Sequence, residues 1–335
     1  MHPRFAFLVL AFFPVAPGLR AASLEDYVAH APFKMSMVPR PSFPARRFLV
    51  TDYGAVGDGH TLNTKAFGDA INACAQGGGG HVVIPAGLWL TGPIELQSNV
   101  DLHSERGALV LFTRDHTAYT MVRRRDWAFV TISPIDLVPT SPIEGIGISN
   151  SAVTGDGVFD GAGDSWRPVR KVQVTDAEWK DHVAHGGVVS NDGAYWWPTM
   201  EAMTGEDYLI ALSRRNPHPS PKEAEPGRDF RRPPLLYLDD CKTILVEGVT
   251  LRNSPSGALC PTRCTDLTIS GATLFNEQYA PSGDGMDVNI CRNVLIYRCT
   301  VSAGDDAICM KSTGLDAPND GEALRNVIIA ECTVY

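Results

Sequence analysis

No apolar run in this 335-residue chain approaches the roughly 18 residues that a membrane helix needs. That argues against a bundle of membrane helices, and no membrane partner is expected. Basic residues are in deficit: 29 Lys and Arg face 38 Asp and Glu, for a net charge of −9. A general nucleic-acid binder needs a basic surface to release counterions, so no nucleic-acid partner is expected. An anionic small substrate stays admissible, because local arginines can override the global sign. There is no C-x-x-C pair, and no histidine lies among the cysteines from Cys241 to Cys332. A zinc site is therefore not expected. What the chain does have is 31 Gly and 24 Pro, which favour many tight turns over long helices. With 44% hydrophobic and 20% charged residues the balance is globular.

Arg4, the apolar run Phe5 to Phe13 and the small residues Ala21 and Ala22 read as an export signal. Residues 1–22 are expected to be removed, leaving a secreted or periplasmic protein. A buried N-terminal strand or helix is the alternative. Disulfides are permitted in such a compartment. Yet seven of the eight cysteines lie in or beside apolar strand-like segments. Stacked buried thiols are the preferred reading, with local pairing of Cys260 and Cys264 left open.

One helix signal is clear. After Asn63 or Thr64, residues Phe67, Ala70, Ile71 and Cys74 fall at i, i+3, i+4 and i+7, and Gly77 to Gly80 stop the pattern. Short strand-like runs follow at His81–Ile84, Leu88–Thr91, Val100–His103 and Ala108–Phe112. Residues 172–199 and 213–234 are polar, the first with a candidate helix at Asp176–Val183. They read as excursions from a β framework. Residues 23–335 are taken as one domain with an insertion at about 164–232.

From Cys241 a repeat appears. Its equivalent threonines are Thr250, Thr273, Thr300 and Thr333, spaced by 23, 27 and 33 residues. Within each unit apolar residues alternate, as in Ile244/Val246 and Val294/Ile296. Period two inside a unit of 20 to 35 residues means short strands stacked coil on coil. A leucine-rich repeat shares the period but lacks support from any regular leucine consensus here. The expected fold is all-β: a parallel β-helix, with residues 150–161 as an earlier coil and the helix at 63–75 capping its open N-terminal end.

Two acidic clusters sit on neighbouring coils. One holds Asp284 and Asp287; the other holds Asp305 and Asp306, followed by Lys311. Asp284 and Asp305 are 21 residues apart, about one coil. Stacked coils lie about 4.8 Å apart, so three aspartates can meet on one face. Crowded carboxylates repel, so at least one holds its proton near neutral pH. A raised acid facing an ionised base is the machinery of glycoside hydrolysis. Plain solenoid turns, or a Ca²⁺ site, are the competing readings.

On these residues the chain resembles glycoside hydrolase family 28, the polygalacturonase family. The matching stretches are Thr51-Asp-Tyr-Gly-Ala-Val-Gly-Asp-Gly59, Ala66 to Cys74, Arg232-Pro-Pro, Arg252-Asn-Ser-Pro255, Asp284-Gly-Met-Asp287 and Gly304-Asp-Asp306. Trp166-Arg-Pro-Val169 with Ala184 to Val188 is similar to an insertion in bacterial members. The resemblance implies a right-handed parallel β-helix and an inverting hydrolase without cofactor or metal. Its substrate would be a pectic polysaccharide or oligogalacturonide, cut at α-1,4-galacturonosyl linkages, and the protein a monomer. It implies Asp305 as general acid, with Asp284 and Asp306 holding the attacking water across an acid–base gap of roughly 6.5 to 9.5 Å. Asp287 and Lys311 would lie at the substrate; a solvated Lys311 is the alternative.

Two departures stand out. The family's Asn-Thr-Asp reads Ser282-Gly283-Asp284 here, and the Gly-His-Gly and Arg-x-Lys that it carries on later coils do not appear before Tyr335. The expectation is a chain cut short at its C-terminus and nearly inactive as such. Two rivals remain: a β-helix polysaccharide lyase, and a non-catalytic carbohydrate-binding β-helix. The tryptophans at 166–197 are expected to pack the insertion rather than stack on sugar. Arg123 to Arg125 read as a solvated edge, with contact to the polyanion as the alternative.

Overall fold

The computed structural model describes residues 23–124, 135–312 and 323–335. The expected leader, residues 1–22, lies outside them, as does Arg125. The described chain is a right-handed parallel β-helix with three long faces. The first sheet has eight strands, from Arg47–Leu49 and Gly80–Ile84 up to Arg292–Tyr297 and Arg325–Ala330. The second has seven, from Gly87–Thr91 to Thr333–Val334; the third has six, from Ile94–Glu95 to Ile308–Lys311. One coil passes through all three in turn: Lys242–Glu247, Thr250–Arg252, Leu259–Thr262, then back to Thr265–Ser270.

The register follows the repeat. Thr250 pairs with Thr273, Thr273 with Thr300, and Thr300 with Thr333. The inward rows are continuous stacks of β-branched side chains, such as Val153, Val246, Ile269 and Ile296, all at most 1% exposed. Branched side chains pack well on a pleated surface, and each row removes apolar area from water along the whole axis. Entry to the first sheet is made by a stacked turn. Asn293 and Asn326 sit there in the left-handed region, φ +56° and +55°, and Asn326 donates to Asn293, which donates to Asp266. A short polar side chain is what tolerates that conformation.

All eight cysteines are free thiols. Cys241, Cys264 and Cys291 are buried, and each thiol donates to backbone carbonyls, as Cys264 does to Thr262 O at 3.4 Å. The preferred reading of stacked thiols holds, and Cys260 and Cys264 are not bonded to each other.

The helix Thr64–Gln76 closes the N-terminal end. Phe67, Ala70, Ile71 and Cys74 are all buried beneath it. Asn63 does not cap it; its side chain instead bonds Val56, Thr61 and Leu90. The stretch 23–46 runs back along the outer face of the first sheet. Tyr27 donates to Glu331, Arg40 pairs with Glu247, and Ser42 N–H donates to Asn150.

The main excursion leaves the second sheet after Asp160 and rejoins the third at Leu236. It holds the expected helix, found at Asp176–Ala184, and a longer one, Met200–Arg215, that the sequence reading passed over. Its signal was present: Thr199 caps it through Ala202 N–H, and Ala202, Gly205, Leu209 and Leu212 form its buried stripe. Trp166 is fully buried in the excursion's root, as packing requires. Arg124 is not a solvated edge. It is 9% exposed, pairs with Glu144 at 2.5 Å and lies over the Tyr237 ring.

Candidate active site

Both acidic clusters lie where the chain turns from the second sheet into the third. Asp284 precedes the strand Met286–Asn289, and Asp305 and Asp306 precede its neighbour Ile308–Lys311. Met286 pairs with Ile308, so the coil offset is 22 residues. Asp306 rather than Asp305 therefore stands level with Asp284. The backbone confirms the match: Gly285 N–H donates to Asp306 O, and Asp306 N–H donates to Asp284 Oδ1 at 3.2 Å.

Glycines on these turns are steric necessities. A Cβ on Gly285 would run into Val301 and the Ala307 carbonyl, and one on Gly304 into the Glu277 carbonyl. Asn276, 1% exposed, braces the turn by donating to Gly283 O and Asp284 O and accepting from Ser254 N–H.

One carboxylate oxygen from each of Asp284, Asp305 and Asp306 lies within 4.8 Å of the others. The expected wide gap between acid and base is thus not found. The glycine turns and the Asp306–Asp284 hydrogen bond draw the carboxyl tips together instead. Burial pushes the Asp284 carboxyl up to about 6, helped by the charges of Asp287 and Asp305 and opposed by Lys311. One proton is therefore held within the group up to about pH 6, and it belongs to the cluster as a whole.

Lys311 is not solvated. Its Nζ lies 2.5 Å from Asp287 Oδ1, beneath the cluster, and the pair is largely buried. Burial lowers the lysine's pKa, but Asp287 more than offsets this, and the net direction is up. Lys311 thus stays charged and tempers the cluster from below. Asp287 in turn raises Asp284. Asp287 and Lys311 pair with each other, and the charges of both act on Asp284.

Three neighbours were not singled out as site residues. Cys309 donates its thiol to Asp306 Oδ2 at 3.3 Å. Arg232 donates to Pro281 O at 2.7 Å, and burial presses its pKa down to about 10, with Asp284 pulling the other way. Arg167, 2% exposed, bonds Ser254 O, Asn253 and Glu277, tying the excursion to the coils beside the cluster. Both arginines stand in stretches that the sequence comparison had already marked out.

Residues 222–333 match the family model described as glycosyl hydrolases family 28. A probable polygalacturonase from Vitis vinifera is 28% identical over 274 residues, 78% of this chain and 44% of that protein. An exo-poly-alpha-D-galacturonosidase from Dickeya chrysanthemi is 26% identical over 278 residues, 77% of this chain and 41% of its own length. The chain spans less than half the length of these two relatives. Among solved structures, a hyperthermoactive exopolygalacturonase from Thermotoga maritima superposes with a TM-score of 0.67 at 26% identity, covering 89% of this chain and 62% of that one.

Proposed function

We propose that this chain, a member of glycosyl hydrolases family 28, cleaves α-1,4-galacturonosyl linkages of pectic polysaccharide. The observation that carries the reading is the group Asp284, Asp305 and Asp306, within 4.8 Å of one another and holding a proton near pH 6. Hydrolysis of a glycoside needs a proton for the leaving oxygen and a carboxylate for the attacking water. Asp305, exposed as Asp306 is, gives the cluster's proton to the glycosidic oxygen. Asp284 and Asp306 hold the water and take up its proton. A water bridging two carboxylates at hydrogen-bond distance from each fits such a spacing. Inversion at the anomeric carbon is part of this reading, although the oxygens lie closer than the usual spacing rule. The Asp287–Lys311 pair sits under the sugar and sets the cluster's charge. No cofactor takes part. The leader read at Arg4 and Phe5 to Phe13 supports export as part of this reading.

The test is direct. Asp305→Asn in the full protein should lose at least about 100-fold in reducing-end release, because an amide cannot donate a catalytic proton. Near-normal turnover in that variant would overturn the assignment.

A further inference from the structure

A second group of functional side chains lies on the same edge of the solenoid. The turns that carry it, at 113–117 and 161–166, sit where the second sheet passes to the third, as the aspartate turns do. Two coils separate residues 161–166 from the Asp284 turn, roughly 10 Å of solenoid.

His116 Nε2 lies 3.1 Å from Ser165 Oγ, and His116 Nδ1 lies 3.1 Å from Asp229 Oδ1. Thr199 donates its hydroxyl to Asp229 Oδ2 at 3.0 Å, fixing that carboxylate. The imidazole is stacked on Trp166, with ring centroids 3.6 Å apart and planes 19° from parallel. It is 8% exposed, so the ring has no freedom to turn away. Ser165 ends a short 3-10 turn entered through Ala162 in the left-handed region, φ +51°. Its hydroxyl donates to Ala162 O at 2.7 Å. Rotation about Cβ–Oγ alone brings that hydrogen to His116 Nε2. Ser165 and His116 both line a cavity of about 750 Å³, shared with Trp196 and Arg228. The Arg228 Nε is buried without a hydrogen-bond partner among the described residues.

We propose that Ser165, His116 and Asp229 form an ester-hydrolysing centre, separate from the aspartate cluster. A serine, a histidine on its hydroxyl and a carboxylate on the histidine's other nitrogen are recognised by geometry, whatever the fold. Ser165 Oγ attacks the ester carbonyl carbon, and its proton passes to His116 Nε2. The acyl carbon's bond to the alkoxy oxygen breaks, and the alcohol leaves with the proton from His116. Water then attacks the acyl-serine, yielding one proton to His116. The ester bond to Ser165 breaks, the carboxylic acid departs, and Ser165 Oγ recovers that proton. The sum is ester plus water to acid plus alcohol. Arg228, whose guanidinium lies 3.7 Å from Glu225, lines the same cavity and is a cation there for the oxyanion to draw on.

The rim selects the substrate class. Asp115, Asp181, Glu201 and Glu225 line the cavity, so acids outnumber arginines there. Such a rim repels a carboxylate and accepts a neutral ester, and it expels the acid once formed. Because the cavity shares an edge with the aspartate cluster, an alkyl-esterified uronosyl unit of the same polymer fits. That last step rests on the glycosidase reading.

The test uses the whole chain and two measurements that need no glycosidic cleavage. One is hydrolysis of p-nitrophenyl acetate, with methanol release from methyl-esterified polygalacturonate beside it. The other is labelling by a fluorophosphonate, with the modified peptide mapped by mass spectrometry. The label should fall on Ser165. Ser165→Ala should abolish it and cut ester turnover at least about 100-fold while keeping the wild-type melting temperature. An unlabelled Ser165 in the wild-type chain, or equal ester turnover in Ser165→Ala, would overturn the proposal. Ester turnover without methanol release would remove the uronosyl substrate. Reducing-end release is read separately and bears on the glycosidase reading alone.

Discussion

Asp306 donates its backbone N–H to Asp284 Oδ1 at 3.2 Å, across the boundary between two stacked coils. The solenoid's own register, Met286 on Ile308, sets this hydrogen bond. The fold thus holds these carboxylates together at the cost of a raised Asp284 pKa, which burial causes first and the charges of Asp287 and Asp305 add to.

That cost is measurable as stability. Asp284 titrates at about 6 in the folded chain against an ordinary 3.8. The folded state therefore binds more protons than the unfolded state between those values, and stability falls as pH rises through that window. At pH 7 the group is ionised in both states and the full penalty is present; below about pH 4 it is absent. Asp284→Asn keeps an oxygen for the Asp306 N–H and removes the charge. It should melt higher than wild type at pH 7, with the gain fading toward pH 4. Equal melting temperatures at pH 7 would show that Asp284 carries no such strain.

The turn beside Asp284 tolerates no side chain. Gly285→Ala places a methyl against the Ala307 carbonyl and Val301, backbone and core groups that cannot swing aside. The strand Met286–Asn289 must shift, at a cost of about 1–3 kcal/mol. Denaturant unfolding should show that loss, and glycosidase activity should fall with it because the Asp306–Asp284 bond is stretched. A variant with wild-type midpoint and activity would contradict the packing described.

The capping helix is held chiefly by Phe67, fully buried and edge-on to Trp89 with ring centroids 6.3 Å apart. Phe67→Ala should cost about 3–5 kcal/mol in equilibrium unfolding. It should leave the pH dependence of activity unchanged, since the helix lies at the far end from the aspartates. A loss under 1 kcal/mol would mean that the helix does not seal the first coil.

Much of this was legible in the sequence, because a solenoid repeats its local rules. The four threonines that pair across coils were visible from spacing alone, as were Ile244/Val246 and the amphipathic helix beginning at Thr64. The carboxylates were legible too, but their partners were not. The coil length of 22 between Asp284 and Asp306 comes from strand register, which the 21-residue count to Asp305 missed by one position. The Asp287–Lys311 pair depends on two outward side chains of adjacent strands. The helix Met200–Arg215 was overlooked because Gly205 sits in its buried stripe, where phase-keeping apolar residues are usually sought. The His116–Ser165–Asp229 group joins residues up to 113 positions apart, carried by a turn and an excursion with no shared period.

The most direct test of the central claim is the rate of reducing-end release from polygalacturonate by the full protein and its Asp305→Asn variant. The geometry of Asp284, Asp305 and Asp306 predicts hydrolysis by the first and a loss of at least about 100-fold in the second. Comparable rates for the two proteins would contradict it.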